Sequence, residues 1–179
     1  MTEKTQTMDL QKLIKKTPLD LGIDIGKKTA PKRMIVFANI ACPFCRRWIL
    51  ACNETLKKQT KAGRLYVQFL FWNRANLKLI NGNIAHHYLK INDNQAFTTI
   101  LNMYQKQSDL RAQPDESAVI KYLSNKYHLK RQNVQYPLDL IRKIAMEANL
   151  KSVPTIIIDN KAFGSDSLSN EKLKQILEK

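Results

Sequence analysis

Two dense apolar runs with an amphipathic stretch between them dominate the first half of the chain. The runs MIVFANI (34–40) and LYVQFLFW (65–72) are rich in β-branched and aromatic residues and have the length of buried strands. The stretch between them predicts a helix with one buried face, because apolar residues recur there at helical spacing, at Cys45, Ile49, Cys52 and Leu56. A strand, a helix and a strand in this order predict parallel pairing of the two strands.

Weaker signals flank these three elements. Apolar residues share one face of LQKLIKK (10–16), which favours a short helix there, and Pro18 would end it. LGIDI (21–25) has the pattern of a weak strand. Gly63 suits the C-terminal cap of the central helix. The first half therefore predicts an α/β fold.

The middle of the chain, residues 82–149, changes from strand-like to helical periodicity. Pro114 and Pro137 stand near predicted helix starts, where proline is tolerated. No repeat of fixed period is present, so we interpret the block as a helical insertion. Its four candidate helices cover residues 83–91, 94–107, 115–127 and 138–150.

The last thirty residues return to β pattern. TIIID (155–159) predicts a short strand introduced by Pro154, and Asp159-Asn160-Lys161 predicts a turn into a second, antiparallel strand. Ser169 is a good N-cap for a final helix whose apolar positions are buried. With the earlier strands, this hairpin predicts one mixed sheet.

Charge and length narrow the class of protein. The 179 residues carry a net charge of +15, which favours acidic partners, but lysines spread along the chain are typical of a solvated surface and argue against a nucleic-acid partner. No apolar stretch is long enough to span a membrane. The N-terminus has no apolar core of the kind that secretory signals carry, which predicts a cytoplasmic location; a trimmed secreted protein would look the same.

The three cysteines fall within 11 residues, which indicates chemistry rather than a scattered disulfide framework. Cys42 and Cys45 form the motif CPFC, directly after a predicted buried strand and at the start of a predicted helix. Unpaired N–H groups at a helix N-terminus stabilise a thiolate, and Arg46 and Arg47 add positive charge. We therefore predict that Cys42 is the attacking thiol and the more exposed of the two sulfurs, and that Cys45 resolves the mixed disulfide.

Other interpretations of these cysteines remain open. CPFC could be half of a zinc site, although Cys52 and the histidines do not supply a second pair at the usual spacing. The cysteines could also be buried structural thiols. Cys52 itself is expected to be a small buried residue, with a second resolving or regulatory thiol as the alternative. His86 and His87 are expected to be ordinary helix-face histidines, and Trp48 and Trp72 are expected in the core.

The paired landmarks of this chain resemble the thioredoxin superfamily, closest to its DsbA-like branch. They are the strand followed by CPFC, the later Val153-Pro154-Thr155 before a strand, and the helical block between the two β units. The resemblance implies a thioredoxin-like domain formed by residues 19–81 and 150–179, a helical insertion at 82–149, and an N-terminal tail at 1–18. It covers about residues 19–179.

The resemblance also implies roles at the site. Val153–Pro154 would be a cis peptide facing CPFC, and the backbone of Val153 would pair with an extended substrate as an added strand. Pro43, Phe44, Val153 and Pro154 are thus the predicted substrate-binding residues, with the dithiol as the redox group and no cofactor or metal. The buried acidic group that often assists the second cysteine in thioredoxins has no candidate in the strand before CPFC.

The function predicted on this basis is thiol–disulfide exchange with proteins or small thiols, completed by a recycling redox partner. Two alternatives are kept. The first is a thioredoxin-like adaptor or basic binding module without redox turnover, motivated by the +15 charge. The second is an enzyme like the kappa-type glutathione transferases, which share a helical insertion but usually lack a CxxC pair. A cytoplasmic glutathione pool would favour the reducing direction.

Overall fold

A mixed five-stranded sheet forms the centre of the molecule, in a computed structural model that describes residues 10–91 and 93–178. The two predicted core strands pair in parallel, and all other neighbours in the sheet are antiparallel. The strand order is β1-β3-β2-β4-β5. The mixed sheet predicted from the apolar runs is therefore confirmed. The strands are β1 (Ile23–Ile25), β2 (Lys32–Ala38), β3 (Leu65–Phe71), β4 (Thr155–Ile158) and β5 (Lys161–Phe163).

Helices cover both faces of this sheet. Residues 10–16 are helical (α1), as the sequence suggested for LQKLIKK. A single 3₁₀ turn at Leu77–Leu79 leads into the helical block. The remaining helices are α2 (Pro43–Lys61), α3 (Ile80–His86), α4 (Ala96–Gln105), α5 (Gln107–Arg111), α6 (Glu116–Tyr127), α7 (Gln135–Glu147) and α8 (Asn170–Leu177).

Alternation along β2 divides the core into two clusters. Met34, Val36 and Ala38 point into the larger cluster, which contains the buried sides of α2, α4 and α8. Ile35 and Phe37 point to the other face, where they meet side chains from α1 and α7. Successive side chains of a strand face opposite sides, so a strand that is apolar at every position must be covered on both faces.

The α2 helix begins and ends where the sequence predicts. Pro43 occupies its first turn, where a missing N–H costs nothing, and Cys42 is the N-cap. Gly63 follows the helix with φ +72, a left-handed conformation that glycine adopts without strain. The predicted stripe is buried, so the helix is held against the sheet by the same face that carries Cys45 and Cys52.

The helical block departs from prediction at its boundaries. The helix predicted at 83–91 begins earlier, at Ile80, and the one predicted at 94–107 is interrupted at Lys106, which separates α4 from α5. The last begins at Gln135, so that Pro137 lies inside its first turn. In the described part of the block no strand occurs. Its division from the flanking domain at residues 82 and 149 stays a prediction.

The predicted tail at 1–18 is only partly described, since residues 1–9 lie outside the described ranges. Leu10 and Leu13 of α1 are buried in the second cluster. Arg33 of β2 fastens the end of α1 by donating to the carbonyl oxygens of Ile14 (3.1 Å) and Thr17 (2.8 Å). Among the described helices, none combines the length and apolarity that a membrane span requires.

Candidate active site

Cys42 lies where β2 gives way to α2, at the N-cap of that helix. Its sulfur accepts a hydrogen bond from the backbone N–H of Cys45 (3.4 Å). The residue is 3% exposed and Cys45 is 0% exposed, so Cys42 is the more exposed of the two cysteines, as predicted. The loop before β4 packs against its sulfur and covers most of it. The sulfur nonetheless has polar backbone groups within hydrogen-bonding distance rather than hydrocarbon alone.

The electrostatic setting of Cys42 favours its thiolate. A hydrogen bond from the Cys45 thiol lowers the pKa of Cys42 from 9.0 to about 7, against burial, which acts in the opposite direction. The backbone N–H groups of Cys45 and Phe44 and the charge of Arg111 add to the lowering. These N–H groups are the unpaired donors of a helix N-terminus, as predicted from the position of CPFC.

The cation that acts on Cys42 is Arg111 of α5, not the predicted Arg46 and Arg47. Arg46 directs its guanidinium to the carbonyl oxygen of Tyr104 (2.8 Å), and Arg47 forms an ion pair with Asp166 (3.1 Å). Arg46 and Arg47 are close to Cys42 in sequence, but their charged groups point elsewhere, because successive side chains of a helix diverge around its axis.

Cys45 is fully buried, and burial raises the pKa of its thiol well above 9.0. The hydrogen bond to Cys42 and the charge of that sulfur act in the same direction, whereas the backbone of Asn39 opposes them. In the described part of the chain no Asp or Glu is buried, in keeping with the absence of an acidic candidate in the sequence. Burial is therefore the largest cause that raises the pKa of Cys45, and Cys42 is the next largest.

The predicted cis peptide is confirmed at Val153–Pro154. The Cys42 thiol donates to the carbonyl oxygen of Val153 (3.4 Å), so this loop packs directly against the Cys42 sulfur. Arg74 holds the preceding residues in place by donating to the carbonyl oxygen of Lys151 (2.8 Å) while its guanidinium stacks on Trp72. The structure thus brings together the two motifs that the sequence placed 111 residues apart.

Pro43 and Phe44 lie on the surface beside Cys42. The Phe44 ring is 52% exposed and packs against the guanidinium of Arg47, whose carbon lies 5.1 Å from the ring centroid. An exposed aromatic ring next to a nucleophile is available for contact with a partner. The roles predicted for Pro43, Phe44, Val153 and Pro154 in substrate binding stay predictions.

Residues that the sequence did not single out hold the loop before Cys42. Asn39 accepts from the N–H of Ala41 (2.9 Å), and Nε2 of His86 accepts from the N–H of Ile40 (3.3 Å). Gln107 donates to the carbonyl oxygens of Ile40 (2.6 Å) and Cys42 (2.9 Å). Two of these three supports come from the helical block. In the sequence, these three residues are marked only as polar positions on otherwise apolar faces.

His86 is thus neither a ligand nor an ordinary surface histidine. It is 2% exposed, and burial lowers its pKa from 6.5 to about 3. Because its Nε2 accepts from Ile40, the proton of the neutral ring is on Nδ1, which lies 2.6 Å from the side-chain oxygen of Asn73. Among the described residues no group of three metal-binding side chains occurs.

Cys52 and the two tryptophans are buried as predicted. Cys52 is 0% exposed, and burial raises its pKa to about 12, which makes it an unreactive thiol. Trp48 donates to the carbonyl oxygen of Leu168 (2.9 Å) within the core. Of the three cysteines, Cys42 is thus the one whose pKa is lowered.

A family model described as thioredoxin matches residues 20–179. The chain belongs to the thioredoxin family. Its fold, with a close cysteine pair after β2, resembles that of DsbA-like proteins, as the landmarks in the sequence predict. Thiol–disulfide chemistry in this group uses no cofactor beyond the dithiol itself. A search of curated proteins gives no match.

Solved structures agree with this assignment. A conserved protein of unknown function from Enterococcus faecalis V583 is 28% identical, with a TM-score of 0.87 over 93% of this chain and 94% of the other. The thiol-disulfide exchange protein alpha-DsbA2 from Wolbachia pipientis is 12% identical, with a TM-score of 0.64 over 99% and 98%. A periplasmic thioredoxin-like protein from Salmonella enterica serovar Typhimurium is 14% identical, with a TM-score of 0.66 over 94% of each.

The predicted cytoplasmic location is wrong. Among the solved relatives, the Wolbachia pipientis protein is named a thiol-disulfide exchange protein and the Salmonella enterica protein is named periplasmic, which points to a location outside the cytoplasm. The prediction had been based on the absence of a secretory signal, which exported proteins lose on maturation and which therefore does not report the compartment. Outside the cytoplasm, no cytoplasmic glutathione pool acts on the cysteine pair, so the compartment does not favour the reducing direction.

Proposed function

We propose that this protein exchanges disulfides with thiol- or disulfide-containing polypeptides through Cys42 and Cys45. The observation that carries the proposal is a sulfur at a helix N-terminus whose pKa is lowered to about 7 by its partner cysteine. Near neutral pH, such a group is about half ionised, and the thiolate is the species that attacks a disulfide. A structural thiol would not need this environment.

The first step is attack of the Cys42 thiolate on one sulfur of a substrate disulfide. A bond forms between Cys42 and that sulfur, the substrate S–S bond breaks, and the other substrate sulfur leaves as a thiolate that takes a proton from water. The reverse sequence, starting from an oxidised Cys42–Cys45 pair, transfers the disulfide to a dithiol substrate. Either direction leaves a recycling redox partner to restore the starting state.

The second step needs Cys45 to lose its proton. Two of the causes that raise its pKa are the hydrogen bond to Cys42 and the charge on that sulfur. Both disappear when Cys42 enters a mixed disulfide, because its sulfur is then neutral and covalently occupied. Formation of the intermediate therefore lowers the pKa of Cys45 at the moment when it must attack, without a dedicated acidic residue.

Alignment of the substrate falls to the loop over the nucleophile. The carbonyl oxygen of Val153 accepts from the Cys42 thiol, so ionisation of Cys42 releases this oxygen for an N–H of an extended substrate. Pro43, Phe44 and Pro154 would then contact the substrate on either side of the reacting sulfurs.

The direction follows from the degree of activation. A pKa of about 7 is close to the value of about 7 in thioredoxin and far from about 3.5 in DsbA, whose reduction potential is about −120 mV against about −270 mV for thioredoxin. A less stabilised thiolate makes a weaker oxidant. We therefore propose reduction or rearrangement of disulfides outside the cytoplasm, rather than strong oxidation.

Substitution of each cysteine tests the proposal. Cys42→Ser should abolish insulin reduction, whereas Cys45→Ser should accumulate mixed disulfides that dithiothreitol releases. Cys52→Ala is the matched control, since its thiol is buried and its pKa raised; it should retain turnover. Turnover that persists in Cys42→Ser would exclude the proposal. A reduction potential near that of DsbA, measured against glutathione, would contradict the direction.

The same variants separate the two alternatives. A basic binding module would keep salt-dependent binding of an acidic partner in a cysteine-free variant and show no redox turnover in the unsubstituted protein. An enzyme like the kappa-type glutathione transferases would conjugate glutathione to an electrophile. The lowered pKa of Cys42 favours thiol exchange over both, because a binding module has no use for a stabilised thiolate.

A further inference from the structure

Gln107 links the helical block to the backbone of the nucleophile. It is the first residue of α5 and is 2% exposed. Its side-chain nitrogen donates both of its protons, to the carbonyl oxygens of Ile40 (2.6 Å) and Cys42 (2.9 Å), which lie 67 and 65 residues away in sequence. A buried amide with two such bonds fixes the direction of both carbonyl groups.

Most backbone polar groups of the segment 40–42 have identified partners. The N–H of Ile40 bonds to His86, that of Ala41 to the side chain of Asn39, and that of Cys42 to the carbonyl oxygen of Asn39 (3.0 Å). The carbonyl oxygen of Cys42 also accepts the first helical bond, from Arg46 (3.0 Å). Within the described chain, the carbonyl oxygen of Ile40 is satisfied by Gln107.

We infer that Gln107 is a positioning residue for the dithiol chemistry, holding the backbone of Ile40 and Cys42 so that the Cys42 sulfur stays at the N-terminus of α2. The inference rests on the proposed function of Cys42. Gln107 does not touch the sulfur or a substrate in this role. It acts by keeping the sulfur within reach of the N–H groups and the Cys45 thiol that stabilise its negative charge.

The physical reason is that stabilisation of a thiolate by a helix terminus falls off within the first turn. Without Gln107, the Ile40 carbonyl would be buried without a donor, and the loop would relax to bring it to water or to another group. A displacement of the loop moves the Cys42 sulfur away from the N–H of Cys45, which donates to it at 3.4 Å. The thiolate then loses stabilisation.

Substitution of Gln107 provides the first test. Gln107→Met keeps the volume and removes both donors, and Gln107→Asn keeps the amide but is too short to reach both carbonyl groups. Each should raise the pKa of Cys42, followed by thiolate absorbance at 240 nm. A rise of one unit from 7 lowers the thiolate fraction at pH 7 about fivefold, but a more basic thiolate is more nucleophilic, so kcat should fall about twofold with KM little changed. Gln59→Met is the control, because Gln59 is a similarly buried glutamine of α2 that bonds to Arg64 instead.

A second measurement needs no substitution. In the reduced, unsubstituted protein, the side-chain amide protons of Gln107 should resist exchange with solvent and should shift in NMR spectra with the midpoint of the Cys42 titration. Freely exchanging amide protons, or a Cys42 pKa that is unchanged in both folded variants, would overturn the inference. Failure of the proposed function appears differently, as absence of turnover in the unsubstituted protein or its persistence in Cys42→Ser.

Discussion

The thiol of Cys42 and the carbonyl oxygen of Val153 lie 3.4 Å apart, so the nucleophile and the backbone proposed to hold its substrate share one hydrogen bond. The thiol form of Cys42 occupies this oxygen, whereas the thiolate has no proton to donate and repels it. Ionisation therefore prepares the nucleophile and vacates the oxygen in a single event. This relationship couples the chemical step to the binding of substrate.

Alkylation of the reduced protein should follow the ionisation of Cys42. The thiolate forms as the pH rises through the lowered pKa, so the rate of modification by iodoacetamide should increase with pH and reach half its limit near pH 7. Cys45 and Cys52 should stay unmodified below pH 9 because burial raises the pKa of both. Peptide mapping by mass spectrometry identifies the modified residue. A midpoint near 9, the ordinary value for a thiol, would contradict this prediction.

The parts of the site that the sequence predicted are those determined by local pattern. CPFC follows an apolar run and opens an amphipathic stripe, and both periodicities extend over only a few turns or strand residues. Cys42 and Cys45 are brought together by one turn of helix, which the local sequence predicts. Val153 and Pro154 were reached through the family landmarks, since no local property of a Val-Pro pair indicates that it faces a cysteine.

The parts that the sequence could not predict depend on long-range packing. His86 and Gln107 reach the loop before Cys42 across 46 to 67 residues, and each looks locally like a polar residue of a helix. The interruption at Lys106 carries no glycine or proline, so helical periodicity gave no reason to divide 94–107. Gln107 begins α5 directly after this interruption, so a continuous helix predicted over 94–107 could not place its side chain.

Arg111→Gln should raise the pKa of Cys42 by a few tenths of a unit, because the charge of Arg111 contributes to its lowering from an exposed position. The same titration at high salt should raise the pKa of the unsubstituted protein and leave the variant nearly unchanged. Arg131→Gln is the control, since Arg131 acts on His87 and is not among the groups that lower the pKa of Cys42. If the pKa of Cys42 depended equally on salt in all three proteins, Arg111 would not be the cation that lowers it.

His86 should make the fold sensitive to acid. Its pKa is about 3 in the folded protein and 6.5 when exposed, so the unfolded chain binds a proton that the folded protein excludes. The stability that this group contributes is complete above pH 6.5 and is lost as the pH falls toward 3, with a slope of up to about 1.4 kcal/mol per pH unit. Urea unfolding at a series of pH values measures the slope.

The matched variants for this test are His86→Gln and His128→Asn. The glutamine side chain of the first could still accept from Ile40 but does not titrate. The pH dependence of the free energy of unfolding between pH 6.5 and about 4 should therefore fall by about 1.4 kcal/mol per pH unit, the slope that one proton produces. His128 is exposed and left-handed (φ 54), a conformation that asparagine tolerates, so His128→Asn is the matched replacement of an exposed histidine. A slope that survives in His86→Gln would assign the acid sensitivity to other groups.

Gly82 determines how closely α3 approaches the loop before Cys42. A Cβ atom at this position would meet the side-chain oxygen of Asn39 and would lie 2.7 Å from the backbone nitrogen of Ala41. Asn39 cannot swing aside cheaply, because its side chain bonds to Ala41 (2.9 Å) and to Asn83 (2.9 Å). Any added atom must therefore push the loop or the helix.

Gly82→Ala should consequently impair both stability and the site. Alanine favours a helix by about 1 kcal/mol over glycine, but overpacking typically costs about 1–3 kcal/mol, so a net loss is expected. The shifted loop should also raise the pKa of Cys42 and slow turnover, measured by urea unfolding and thiolate absorbance. Gly164→Ala is the control, because a Cβ there meets nothing within 4 Å. A Gly82→Ala protein that is more stable and retains a Cys42 pKa near 7 would show that the loop yields without consequence.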